Sequence, residues 1–233
     1  MRVLAVGAHP DDLEILCSGT LARFADEGHK VVMCHTLNGN LGHTEIPRDE
    51  LKDIRREEAE NAAAVIGAES ITLDIDDLDI YPDRESKYKM IEAIRKAKPD
   101  IIILPSPEDY MPDHTITSEV GFDASFMATL PQLITESPFH PKLTPVYYMD
   151  TIAGLNFNPE DFVDISKMES VKREMIACHK SQAQWLKEHD NIDYVDFAMI
   201  QSAFRGMQCG VKYAEAFRQK RVWGRVSTKR YLP

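Results

Sequence analysis

Short unbroken apolar runs alternate, through the first half of the chain, with longer stretches whose apolar residues recur at helical spacing. Residues 1–7 read as a buried parallel strand: short, apolar and β-branched, closed by Gly7 and then Pro10. Residues 13–27 form a helical pattern with Leu13, Leu16, Leu21 and Phe24 on its buried face, stopped by Gly28-His29. A second strand is expected at 30–36, a helix at 47–66 with Gly67 as its C-terminal signal, a third strand at 70–75 and an amphipathic helix at 84–97. Residues 101–105 are the most continuous β-branched run and are expected to form a central strand.

The second half is less regular. A helix is expected at 114–130, an extended excursion at 131–145, where four prolines fall, and a fifth strand at 145–150. Helices at 167–187 and 194–207 follow, then an irregular tail from Gly210. No internal repeat, low-complexity tract or linker divides residues 1–233, so a single domain is expected. Alternating strands and helices demand right-handed crossovers and a mostly parallel α/β sheet covered by helices, with strand order around 3-2-1-4-5.

Composition narrows the setting. The chain is 43% hydrophobic and 28% charged, ordinary for a globular protein, and no apolar run approaches the roughly 20 residues that span a bilayer. A formal charge of −11 argues against nucleic acid or an anionic membrane as partner. Cys17, Cys34, Cys178 and Cys209 are scattered without a CxxC pair, which argues against a disulfide framework or a thiolate zinc site. With Met1-Arg2 leading straight into the first strand and no leader-like segment, a cytoplasmic setting is expected.

Candidate chemistry sits at two strand ends. Ala8-His9-Pro10-Asp11-Asp12 follows the first strand, and Glu108-Asp109-Tyr110-Met111-Pro112-Asp113-His114 follows the fourth. In doubly wound sheets these strands lie side by side, and a crevice opens between their carboxyl ends. The topology therefore brings His114 towards His9 and Asp12. Two imidazoles and a carboxylate make a catalytic zinc set, with another divalent metal as the alternative. Asp11 remains free to act as general base on a water. Taken singly, each motif also fits a plain structural role, an Asp capping the helix that follows. No Gly-x-Gly-x-x-Gly follows the first strand, so a dinucleotide cradle is not expected.

The first of these motifs, with Glu14 and Gly19-Thr20-Leu21-Ala22 behind it, and then Pro112-Asp113-His114, resembles the LmbE-like (PIG-L) family of zinc-dependent de-N-acetylases. The resemblance continues through Arg55-Arg56-Glu57-Glu58-Ala59 with Ile66-Gly67, through His179-Lys180-Ser181-Gln182, and through Tyr213-Ala214-Glu215-Ala216-Phe217. It implies a Rossmann-like three-layer sandwich, zinc held by His9, Asp12 and His114, Asp11 as base, and Arg55 against the substrate's hydroxyl or phosphate groups. It further implies an amino-sugar small molecule as substrate, a network around His179 that buttresses the pocket, and a trimer or hexamer. Where the family commonly carries His-Pro-Asp-His, this chain has Met111, which can neither stabilise an oxyanion nor donate a proton. Tyr110, next door, is the expected substitute.

Other residues carry weaker expectations. Asn40 and His43, in the Asn/Gly-rich loop at 37–48, are candidates for substrate contact at the rim, against the alternative of a solvated loop. The acidic run at 74–79 lacks the Gly and closing Glu of a calcium loop and is expected to be solvated. Trp185 and Trp223 are expected in packing or subunit contacts, and an amidase acting on a different amide or a non-catalytic metal-binding module are the alternatives to deacetylation.

Overall fold

The computed structural model describes residues 1–233. Val3, Leu4, Ala5 and Val6 of β1 (Arg2–Gly7) are fully buried because both faces of their strand are covered. Val3 and Ala5 point into a core shared with Leu13, Phe24, Ala62, Met175 and Ala198. Leu4 and Val6 point into the opposite core, with Met90, Ile94, Val120 and Ala124. This two-residue alternation, fed by helices on both sides, is what makes three layers.

β2 (Lys30–Leu37), β3 (Glu69–Ile75), β4 (Ile101–Leu104) and β5 (Val146–Met149) complete the parallel part, with β1 between β2 and β4. The helices α3 (Arg48–Val65) and α4 (Arg84–Ala97) lie where periodicity puts them. Gly67 takes a φ of 65° as the stop after α3, and Asp83 caps α4 by accepting from the Ser86 N–H at 2.9 Å. The stretch between residues 128 and 145 contains no helix or strand. The buried Arg95 of α4 holds it by donating to the carbonyls of Ala128, Leu130 and Leu133.

Three helix expectations need correction. The helix expected at 13–27 is two, α1 (Asp12–Leu16) and α2 (Ser18–Asp26), broken at Cys17. The helix expected at 114–130 begins two residues earlier and ends three earlier, as α5 (Pro112–Met127), with Pro112 supplying the fixed φ of a first helical position. The helix expected at 167–187 is also two, α6 (Glu169–Ala177) and α7 (Lys180–Asp190). At that second break the N–H and hydroxyl of Ser181 each donate at 2.7 Å to Glu58 of α3, a contact that a continuous helix would not make.

The tail is the largest difference. After α8 (Tyr194–Cys209), residues Ala214–Gln219 form β7, which inserts antiparallel between β5 and β6 (Asp161–Asp164). The sheet thus has seven strands in the order β3-β2-β1-β4-β5-β7-β6, the expected five with an antiparallel edge added. Glu215 of β7 explains both the hidden strand and the break at Cys17. Its carboxylate is buried, accepts the N–H groups of Gly19 (2.9 Å) and Thr20 (2.7 Å) in the first turn of α2, and meets Lys172 Nζ of α6 at 2.6 Å. Lys172 Nζ also donates to the Ile15 carbonyl at 2.7 Å.

Removing one member of a buried ion pair leaves the other charge uncompensated. Glu215→Ala is therefore expected to lower stability by about 3–5 kcal/mol, and Glu215→Gln combined with Lys172→Met, which leaves no lone charge and keeps an oxygen to accept from the start of α2, by less. Thermal or urea unfolding of the three proteins checks this.

Candidate metal centre

β1 ends at Gly7, and the chain then folds back over its own strand end. Asp11 has a φ of 127°, a conformation that L side chains rarely adopt and that costs about 1–3 kcal/mol. This bend lets Asp12, the first residue of α1, return its carboxylate to the loop. Asp12 Oδ2 accepts the N–H groups of Ala8 (2.9 Å) and His9 (2.8 Å). Asp11 does not use its side chain to cap α1, and Asp113 and His114 lie inside α5, not before it, so the plain capping alternative does not describe these positions.

The neighbouring strand end supplies the second half. His114 stands in the first turn of α5, its Nδ1 2.9 Å from Asp109 Oδ2. His9 Nε2 lies 3.1 Å from Asp113 Oδ2, and the two imidazole rings are 5.4 Å apart between centroids. Each histidine thus has one ring nitrogen fixed by a carboxylate and the other turned towards Asp12, with His114 Nε2 at 3.3 Å and His9 Nδ1 at 3.8 Å from Asp12 Oδ2. One donor atom from each of His9, Asp12 and His114 lies within 4.8 Å of the other two.

These residues fit a divalent cation. His114 Nε2 is buried without a hydrogen-bond partner, a costly condition that a coordinate bond relieves. Two nitrogens and one carboxylate oxygen, the imidazoles oriented by outer carboxylates, form the usual donor set of a site with an open position. Electrostatics agree: burial opposes the ionised form of Asp12, but His114 and His9 hold its carboxyl well below the ordinary range. Burial likewise opposes charge on His114, yet Asp12 and Asp109 raise it to about 10. The carboxylates demand positive charge at this spot.

Asp11 stands beside the triad with a different set of partners. Its Oδ2 accepts the Tyr194 hydroxyl at 2.6 Å and lies 3.0 Å from Arg55 Nη2. Arg55 also donates to the carbonyls of Pro10 and Gly39. Gly39 has a φ of 77°, and a Cβ there would stand 2.7 Å from the guanidinium, which is why this loop is glycine-rich. A cavity of about 450 Å³ opens over these groups, lined at its base by His9, Asp11, Asp12, Asp113 and His114.

The structure brings His9, Asp11, Asp12, Arg55 and His114 together, and Met111 also lines the cavity. It does not bring Tyr110 there: that side chain is 59% exposed and outside the lining. Asn40 is buried, and its Oδ1 accepts the Asp77 N–H at 3.2 Å, so it shapes the loop from behind the cavity wall. Asp77, expected to be solvated, is buried and accepts the N–H groups of Gly39 (2.8 Å) and Leu41 (3.0 Å). His179 lies fully buried, its Nε2 3.4 Å from Glu14 of α1, beneath the donor loop. Of the two tryptophans, Trp223 is 97% exposed and Trp185 stacks on His189.

Two residues of the site escape sequence reasoning. Asp109 carries a signal, a carboxylate five positions before a ligand-type histidine in one loop. Tyr194 carries none, because it meets Asp11 across 183 positions through the packing of α8.

Residues 4–125 match the model of the PIG-L family, described as GlcNAc-PI de-N-acetylase. The chain belongs to this family. Among PIG-L relatives, the diacetylchitobiose deacetylase of Thermococcus kodakarensis is 30% identical over 223 residues, covering 93% of this chain and 82% of that enzyme. The N,N'-diacetylchitobiose deacetylase of Pyrococcus horikoshii superposes with a TM-score of 0.81 at 27% identity, over 93% of this chain and 82% of that one. A 4-oxalmesaconate hydratase of Pseudomonas putida is 26% identical, over 77% of this chain and 73% of the hydratase. No helix is long and apolar enough to cross a membrane.

The outer carboxylates give a graded test. Asp109→Ala is expected to weaken divalent-cation affinity by about 10–100-fold, read by competition with a chromogenic chelator. His114→Ala is expected to abolish both binding and the rise in melting temperature that the cation gives the parent protein.

Proposed function

We propose that this protein hydrolyses the N-acetyl amide of an amino-sugar-containing small molecule, releasing acetate and a free amine, with zinc held by His9, Asp12 and His114. The observation that carries this reading is Asp11: a carboxylate at the base of the cavity, next to the donor set, gripped by Tyr194 and Arg55. The kinship with two diacetylchitobiose deacetylases supports the choice of bond. A cation held by His9, Asp12 and His114 would supply Lewis acidity, lowering the pKa of water and polarising an amide carbonyl.

The chain's own residues do the rest. Asp11 accepts a proton from the attacking water as the water oxygen bonds to the carbonyl carbon. It then returns that proton to the amide nitrogen as the C–N bond breaks, so acetic acid and amine leave, the acid's proton passes to the amine to give acetate, and the Asp11 carboxylate is restored. Arg55 and the Tyr194 hydroxyl fix the carboxylate's direction through both transfers, a preorganisation that the strained bend at Asp11 makes possible. Met111, in the cavity lining, offers no proton, so Asp11 serves as both base and acid. Arg55 spends its guanidinium on Asp11 and two carbonyls, which makes it a positioning residue for the base in addition to a member of the cavity lining.

The hydratase relative raises water addition to a carboxylate substrate as a second chemistry. The cavity's charges disfavour it. Arg55 is its sole Lys or Arg and is already paired with Asp11, while Asp12, Asp77 and Asp113 add further carboxylates to the lining.

With the zinc-loaded protein and a panel of N-acetylated amino sugars and glycosides, free amine is expected to appear. Asp11→Asn is expected to keep zinc and lose about 10²–10⁴ in kcat. Amine release by Asp11→Asn at the parent rate, or none by the parent on any acetamide, would sink the proposal.

A further inference from the structure

The polar base of the cavity is surmounted by an apolar wall that hydrolysis of an acetamide does not require. Leu41 follows β2, Leu78 follows β3, Met111 precedes α5, Ile152 follows β5, Leu186 lies on α7 and Phe197 on α8. Six separate segments each turn an apolar side chain to one space. The polar side chains among them are already engaged: Asp77 accepts the N–H groups of Gly39 and Leu41, and Gln182 Nε2 donates to the Gly42 carbonyl at 2.9 Å. A pocket built for a bare sugar needs several free, directional polar groups, because each hydroxyl stripped of water must find a partner. This wall offers few.

Leu78 makes the point sharply. It has a φ of 65°, a backbone position where Gly or Asn is the common occupant, and it is 64% exposed at the cavity mouth. Its N–H donates at 3.1 Å to Asp113 Oδ2, the same oxygen that holds His9. An exposed leucine in a strained conformation, anchored to the support of the donor set, is an apolar contact surface set at a fixed distance from the reacting amide. Leu41, opposite in sequence and 44% exposed, is tied to the same loop pair through Asp77. Met111 adds an unbranched, adaptable side chain that can follow the contour of a hydrocarbon.

From these contacts we infer that the substrate carries an apolar alkyl or aryl group beside the scissile amide, covered by Leu41, Leu78, Met111, Ile152, Leu186 and Phe197. The inference rests on the proposed amide hydrolysis for its placement of the reacting bond. The hydrocarbon has two possible sources, the aglycone on the amine side or the acyl chain on the carbonyl side.

Two substrate series separate the sources, each below its micelle concentration and with the zinc-loaded protein. One lengthens the O-alkyl group of 2-acetamido glucosides from methyl to pentyl; the other lengthens the N-acyl group of the methyl glycoside from acetyl to hexanoyl. In one series kcat/KM is expected to rise about threefold per methylene, about 10²-fold over four. Leu78→Asn and Met111→Gln are each expected to cut that long-to-short ratio about tenfold. Flat or falling values in both series overturn the inference. Calorimetry on Asp11→Asn with pentyl and methyl glucosides, which contain no amide, reads apolar recognition without turnover. Tighter pentyl binding with a negative heat-capacity change, alongside no amine release from any substrate, keeps this inference and removes the hydrolase reading. Equal binding of the two glucosides together with a flat N-acyl series overturns the inference; equal binding with a rising N-acyl series places the hydrocarbon on the carbonyl side.

Discussion

The structure turns on one carboxylate oxygen. Asp12 Oδ2 accepts two backbone N–H groups of the loop that precedes it, and both imidazoles of the site are directed at the same atom. Those two hydrogen bonds do for the loop what a metal does for a finger: they close it around a charge. Because they come from Ala8 and His9, the loop can form only if the chain reverses at Asp11, and so the positive φ there is a consequence of where Asp12 has to be. The parallel pairing of β1 with β4, set by β-branched residues such as Val3 and Ile101, then fixes how far away His114 can stand. Packing of hydrocarbon decides the spacing; hydrogen bonding decides the aim.

Around that centre, carboxylates work in two tiers. Asp109 and Asp113 hold the far nitrogens of the imidazoles, and Asp113 also anchors the β3–α4 loop through Leu78. Asp77 holds the β2–α3 loop, and Glu58 ties α3 to α7. An acidic protein, with 38 Asp and Glu against 27 Lys and Arg, thus spends part of its negative charge as acceptors for buried backbone N–H groups. Such groups are strong acceptors, and those near the donor set also make it more receptive to a cation.

What the sequence made legible follows the period of its pattern. Runs like Ile101–Leu104 and the helical spacing of Arg84–Ala97 carry one meaning each, and the topology they imply brings residues 9 and 114 together. The hidden elements are those stabilised by polar groups. β7 reads as Ala-Glu-Ala-Phe-Arg-Gln, and its second residue, Glu215, looks solvent-facing until Lys172 and the start of α2 are placed around it. The breaks at Cys17 and His179 are invisible for the same reason: Glu215 and Glu58, distant in sequence, satisfy the new helix starts. At the site, the donor triad and Asp11 share one local signature, whereas Tyr194 depends on α8 arriving at the right angle. Tyr110 had proximity in sequence in its favour and Asn40 the make-up of its loop, and neither governed where the side chain went.

That division between early donors and late braces has a temporal side. The three donor residues all lie within the first 114 positions, while Lys172, Tyr194 and Glu215 follow it by more than 50. A ribosome delivers the chain in that order. The emerging N-terminal half therefore carries the donor residues without their later braces, and an α2 start lacking its acceptor, for as long as synthesis takes to reach β7. Two closing steps follow: α8 brings the Tyr194 hydroxyl that steadies Asp11, and β7 brings Glu215, the counter-charge of Lys172.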